Sequence, residues 1–279
     1  MSTMHQGAPR GFQWVKTQKA LVLVRGEGVG WVRFVLDGAR TLYEAASAHP
    51  RRFQLEGRRP LFVIPAGTSR KAEPSGTAST PGSGSTGQEH WAVRHYARGG
   101  PPLPRLLGDR FLRLGSVRPF HELEASQEAR ARGINTPRIV AAAMYPVGLF
   151  YRADLVTVFV PGATDLVSSL FDTARKGVGG AMERRDALQA AGELILQLAS
   201  KGLHHRDLHA GNILLEWEGA APSPLLVDLD RCQVLPPGAE ASPLPMYRRL
   251  RRSLRKWERR TGLRISEVEW ETLKRAAAR

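Results

Sequence analysis

His204-His205-Arg206-Asp207-Leu208-His209-Ala210-Gly211-Asn212-Ile213-Leu214-Leu215 sets a carboxylate and a carboxamide five residues apart and then runs into an apolar segment. A solvated surface loop gains little from that order. A site that activates a hydroxyl beside a divalent cation needs it: one carboxylate takes a proton, and hard oxygen donors hold the metal. Downstream, Leu225-Leu226-Val227-Asp228-Leu229-Asp230 places a second carboxylate at the end of an apolar run, 16 residues after Asn212. Asp207 is then the base or hydroxyl-orienting group, with Asn212 and Asp228 as metal ligands and Asp230 as a helper to them.

The surroundings predict where these groups sit. Asp186 to Ala199 carries apolar residues at helical spacing, with Gly202 just past its end. Asp165 can cap a helix over Leu166–Thr173. Ile213–Leu215 and Leu225–Leu229 read as short strands facing each other across Trp217–Pro224. Upstream the pattern is strand-rich. The Ala20–Gly38 stretch reads as strands turning at glycines, Pro60–Pro65 and Trp91–Tyr96 as strands, Thr41–Ala48 as a short helix, Phe120–Arg132 as a charged helix and Leu155–Val160 as another strand. Residues 1–20 read as irregular. The Gly/Ser/Thr/Pro-rich segment 66–89 is almost free of large apolar groups and reads as a flexible loop.

His205-Arg206-Asp207-Leu208 followed by Asn212 resembles the protein-kinase catalytic signature H-R-D-L-x-x-x-N, and Asp228 stands where the D-F-G aspartate would. Leu229 replaces the usual Phe, and Asp230 the Gly. The resemblance implies an α+β, bilobal protein-kinase-like fold. Its strand-rich N-lobe would span 1–160 and its helical catalytic lobe 161–279, hinged near Val160-Pro161. It further implies ATP and Mg²⁺ as cofactors. Arg94 in Trp91-Ala92-Val93-Arg94 stands where the phosphate-gripping lysine would, with Glu122, or Glu124 two residues on, as its partner. Ala92 and Leu214 would line the adenine slot. Gly57 would form the turn over the phosphates, since Gly26–Gly30 (GEGVG) does not fit G-x-G-x-x-G. In the same arrangement His205 is structural, and His209 is either near the transferring phosphate or a plain loop residue.

HWAVRHYARGG, LLGDRF, RPFHELE, YRADLVTVFVPGA, HRDLHAGNILL and LLVDLDR together resemble the bacterial lipopolysaccharide-core kinases, the Kdo kinase family, over roughly Gly57 to Arg260. That resemblance implies phosphorylation of a sugar hydroxyl, Kdo above all, at the cytoplasmic face of the inner membrane. The partners would be a Kdo–lipid A precursor and an anionic membrane surface. A core heptose kinase, an aminoglycoside-type phosphotransferase and a non-catalytic pseudokinase scaffold are the alternatives.

The charge fits an anionic partner: 41 Lys/Arg against 26 Asp/Glu give +15. No nucleic-acid-binding motif accompanies it, so nucleic acid is not expected as a partner. Tyr247–Arg264 holds nine Lys/Arg and one Glu, within a basic C-terminal helix expected over 246–279. Tyr247, Leu250, Leu254 and Trp257 form its apolar stripe; the helix would rest on an anionic leaflet, or pack its stripe on the protein core, and the two are compatible. The single cysteine, Cys232, excludes an intramolecular disulfide and reads as a core or loop residue. No apolar leader is evident at the N-terminus, and Ile139–Tyr151 is too short to span a bilayer, which takes ~20 residues.

Overall fold

Phe12–Lys16 (β1) and the apolar run Leu21–Arg25 (β2) open an antiparallel sheet, with Phe12 paired to Arg25 and Lys16 to Leu21. The computed structural model describes residues 7–55, 60–67, 88–97, 108–113, 115–172, 181–217 and 221–278. Gly57 and most of the 66–89 segment lie outside them.

After β2 the chain leaves the sheet. The expected strands over Ala20–Gly38 stop at Arg25, and Val29–Asp37 forms helix α1. The reason is spacing: Trp31, Val32 and Val35 share one helical face and are buried together. Helix α2, Leu42–Ser47, starts at a reciprocal capping box between Thr41 and Glu44. Strands β3 (Phe53–Leu55), β4 (Leu61–Pro65), β5 (His90–His95) and β6 (Phe111–Leu112) follow, then helix α3 (Arg118–Ala131). Strands β7 (Ile139–Val147) and β8 (Phe150–Val158) make a long hairpin. The sheet order is β1-β2-β7-β8-β5-β4-β3, with β6 also on β8. Each neighbouring pair is antiparallel, and β5 sits inside the sheet between β4 and β8.

The next segment is mostly helical. Thr164–Asp165 (β9) leads into α4, Leu166–Phe171, whose first N–H groups are capped by Asp165 Oδ1 at 2.9 and 3.0 Å. Helix α5, Ala181–Ser200, runs to β10, Leu203–His205. Strands β11 (Ile213–Trp217) and β12 (Pro222–Leu226) pair antiparallel, with Ile213 opposite Leu226, and β13 (Cys232–Val234) pairs with β10. Helices α6 (Pro243–Thr261) and α7 (Glu267–Ala276) close the chain. The basic C-terminal region is thus two helices where one was expected over 246–279. Gly262 takes φ +75°, caps α6 through Glu258 and ends it, and Ser266 then caps α7.

By contacts the chain forms two units: Met1–Glu124 with Arg138–Pro161, and Ala125–Pro137 with Gly162–Arg279. The expected single cut at residue 160 misses the segment 125–137. Ala125, Ala129 and Ile134 are buried in the core of the helical unit, together with Leu194, Leu198, Leu226 and Leu250, whereas Leu123 belongs to the core of the strand-rich unit.

Gly192 lies in the middle of α5, where glycine costs ~1 kcal/mol against alanine. A Cβ there would stand 2.6 Å from Ala276 Cβ and 2.8 Å from the Leu273 carbonyl, so the glycine lets α7 approach. Gly192→Ala should therefore destabilise the fold by ~1–3 kcal/mol through overpacking, against the gain an open helix would show. A denaturant titration that found this variant more stable than the parent would refute the close α5–α7 contact.

Candidate active site

The site begins with the way β10 ends. His205 is completely buried, and its imidazole touches the main chain at two places far apart in sequence. Nδ1 accepts the N–H of Asp207 at 3.2 Å, and Nε2 lies 3.0 Å from the carbonyl of Asp228. One neutral tautomer, with the proton on Nε2, satisfies both bonds. Burial pushes the pKa of His205 down, outweighing the opposite pull of Asp228 and Asp207, so that tautomer persists at neutral pH.

Asn212 completes the turn. It is buried, donates its Nδ2–H to the Asp207 carbonyl at 3.2 Å, and its own carbonyl accepts the Val227 N–H at 3.0 Å. With the amide nitrogen turned to the backbone, Oδ1 is the atom suited to a cation. The strand expected over Leu225–Leu229 stops at Leu226 because Asp228 adopts φ 64°, ψ 56° and Leu229–Arg231 coil into a short 3₁₀ turn. A left-handed aspartate is uncommon, and such residues concentrate at functional sites. The turn carries Asp230, half-buried, two residues beyond Asp228.

Asp207 is exposed at the edge of this arrangement. The structure therefore brings the backbones of Asp207, Asn212 and Asp228 together through a histidine and an asparagine. Two carboxylates and one amide suit Mg²⁺, which takes few protein ligands and keeps water. Among the described residues no group of three or more His, Cys, Asp or Glu forms a fuller metal cage.

His209 is half-buried, and its carbonyl accepts the Asn212 N–H at 2.9 Å. Leu214, on β11, is half-buried and pairs with Asp165 of β9. Cys232 is a core residue, and burial pushes its thiol up to about 12, so it is no nucleophile.

In the strand-rich unit, Arg94 on β5 is paired through Nη2 with both carboxylate oxygens of Glu122 on α3. Glu122 is buried while Glu124 is exposed, which settles the choice between them. Tyr96, at the end of the same segment, joins the pair. Its hydroxyl donates to Glu122 Oε2 and its ring lies 4.7 Å beneath the Arg94 guanidinium. Ala92 is buried on the same strand. No spacing signal in the sequence could have found Tyr96, because the triangle closes only when α3 is laid against β5.

The C-terminal stripe faces inward. Met246, Leu250 and Leu254 are buried in the core of the helical unit, and Tyr247 and Trp257 pack against it. The stripe therefore packs on the protein core: α6 shows solvent its cations, while its apolar face is covered. Among the described residues, no helix is long and apolar enough to cross a membrane.

Because burial depresses the His205 pKa, the unfolded chain binds its proton first as pH falls below the ordinary value of 6.5. The stability tied to neutral His205 is complete above 6.5 and is lost as pH falls towards the depressed native value. Denaturant midpoints should drop between about pH 7.5 and 5.5, and His205→Leu should flatten part of that slope. The variant should also cost ~1–3 kcal/mol for each backbone group left unpaired. Equal slopes in the two proteins would contradict the neutral bridge.

The sequence model of the Lipopolysaccharide kinase (Kdo/WaaP) family matches residues 70–276. A 3-deoxy-D-manno-octulosonic acid kinase from Pasteurella multocida is 32% identical over 187 residues, 65% of this chain and 72% of the relative. Enzymes of the same name are 29% identical over 184 residues in Vibrio vulnificus (65% and 72%) and 32% identical over 149 residues in Vibrio cholerae (53% and 58%). The solved structure of WaaP in complex with acyl carrier protein overlays at TM-score 0.49 and 14% identity, covering 92% of this chain and 88% of that one, below the level that identifies a fold. With the family model spanning most of its length, the chain belongs to the lipopolysaccharide kinase (Kdo/WaaP) family.

Proposed function

We propose that the chain transfers the γ-phosphoryl group of ATP to a hydroxyl of 3-deoxy-D-manno-octulosonic acid in the lipopolysaccharide inner core. The observation that carries this reading is the convergence of Asp207, Asn212 and Asp228 on one turn system, locked by His205. The naming of three relatives as kinases of that sugar supports the choice of acceptor.

Asp207 orients the acceptor hydroxyl and takes its proton as the new oxygen–phosphorus bond forms and the bond to ADP breaks. Its exposure suits it to meet an incoming sugar. Asn212 and Asp228 would hold Mg²⁺, with Asp230 in reach of the same turn. The cation, when bound, neutralises phosphate charge. Arg94 grips phosphate oxygens, and Glu122 and Tyr96 fix the direction of its guanidinium. The acceptor is lipid-anchored, so the enzyme works at the cytoplasmic face of the inner membrane, and a charge of +15 suits the anionic surface there.

Purified protein with labelled ATP and Mg²⁺ should phosphorylate lipid A bearing one or two Kdo sugars in preference to heptosylated core or an aminoglycoside. Label appearing instead on heptose or the aminoglycoside would replace this acceptor. Asp207→Asn should lower kcat by at least ~10², with nucleotide affinity within about twofold of the parent. Asp228→Asn keeps a side chain that tolerates the left-handed backbone, so it isolates the charge. It should weaken nucleotide binding in the presence of Mg²⁺ and leave Mg²⁺-free binding unchanged, as read by titration calorimetry.

A further inference from the structure

The catalytic turn is fastened to the basic helix. Ser253 of α6 accepts the Ala210 N–H at 3.2 Å, three residues after Asp207 and at the start of the 3₁₀ turn that carries Asn212. Around the helix axis, Arg260, Arg249, Lys256 and Arg252 fall at about 20°, 40°, 60° and 100° from Ser253, on the side away from Leu250 and Leu254. The flank of α6 that borders the catalytic turn is therefore cationic, while Leu250 and Leu254 lie in the core.

The charges on that flank are uncompensated. Among the described residues Arg255 makes the ion pair of this helix, with Glu258 at 3.1 Å, and Arg249, Arg252 and Lys256 make none. Arg252 and Lys256 are exposed and Arg249 is half-buried. The Arg249 charge reaches β10: after burial it is the next cause pushing the pKa of His204 down, followed by Arg206. Like charges held together beside a base raise the energy of the empty surface, and an anionic ligand relieves that cost.

We infer that Arg249, Arg252 and Lys256 form a docking rail for the anionic groups of the acceptor itself, its phosphates and sugar carboxylates. This rests on the proposed kinase reading and adds to it the element that presents the acceptor to Asp207. The occupant is the acceptor and not the leaflet at large, because the rail is one flank of the helix, next to the base. A flat leaflet would draw on the outward cations Arg248, Arg251 and Arg259 just as much.

The test compares two triple variants that remove the same charge. Arg249→Gln/Arg252→Gln/Lys256→Gln should raise KM for Kdo–lipid A in neutral detergent micelles by ~10-fold or more, with kcat and the KM for ATP within about twofold of the parent. Arg248→Gln/Arg251→Gln/Arg259→Gln should change the acceptor KM less than about twofold. Equal effects of the two triples, or an unchanged KM in the first, would overturn the inference. Binding of the same micelles without ATP, read by fluorescence anisotropy, separates it from the reading beneath. If the parent and the outward triple bind the micelles, the rail triple does not, and nothing is phosphorylated, the kinase reading fails and the rail stands. Phosphatidylglycerol vesicles bound as well as the micelles, and weakened alike by both triples, would assign α6 to the leaflet and refute the rail.

Discussion

A neutral imidazole buried between two backbone segments is the constraint on which the helical unit's chemistry depends. His205 ties the N–H of Asp207 to the carbonyl of Asp228, so the two carboxylates cannot drift independently. Neither segment is regular enough to fix itself. Asp207 follows a three-residue strand, and Asp228 sits in a left-handed conformation between a strand and a 3₁₀ turn. Burial supplies the stiffness: a charged imidazole would have to find solvation that the core does not offer, so the neutral, two-sided form is the stable one. Asn212 repeats the device, spending its amide nitrogen on the Asp207 carbonyl.

The strand-rich unit solves a different problem, how to hold a guanidinium in one orientation. A lysine can be aimed by one carboxylate, because its charge is nearly a point. Arginine is a plane, and its orientation matters as much as its position. The Tyr96 ring beneath Arg94 and the Glu122 carboxylate at its edge restrict both tilt and rotation. Tyr96 also satisfies Glu122, which burial would otherwise leave under-solvated.

How much of this could be read in advance follows the range of the interactions. The turn from Asp207 to Asn212 was legible because it is local: the two residues lie five apart, and the helix before and the hairpin after them carry ordinary periodic signals. The Asp165 cap was legible for the same reason. The helix Val29–Asp37 was not. Its glycines suggested turns between strands, and only the shared burial of Trp31, Val32 and Val35 shows that the 3.6-residue period decides. Strand β1 was missed inside a segment read as irregular. The membership of 125–137 in the helical unit depends on the burial of Ala129 and Ile134, a long-range fact with no local trace. The stripe on α6 was seen correctly as a stripe, but periodicity cannot say which neighbour it will face.

The same distinction applies to two further blocks of the sequence, Arg94-His95-Tyr96 and Tyr151-Arg152-Ala153-Asp154. They lie on adjacent strands, with His95 opposite Asp154. His95 Nδ1 stands 2.6 Å from Asp154 Oδ1, and its Nε2 stands 2.9 Å from Asp109. The other oxygen of Asp154, which is wholly buried, accepts the Tyr145 hydroxyl and the Tyr43 N–H, each at 2.9 Å. Burial, then the Asp154 charge, push the Tyr145 phenol well above its usual range, so it remains a donor. Tyr145 in turn accepts the N–H of Leu42, at the start of α2. One buried carboxylate thus joins β5, β7, β8 and the first turn of α2. A buried charge is costly unless every lone pair is used, and here the partners come from elements that only the native register brings together. Slipping β5 by one residue would turn His95 to the other face and leave Asp154 without that partner, so the network selects the register that also sets Arg94 and Tyr96 against Glu122.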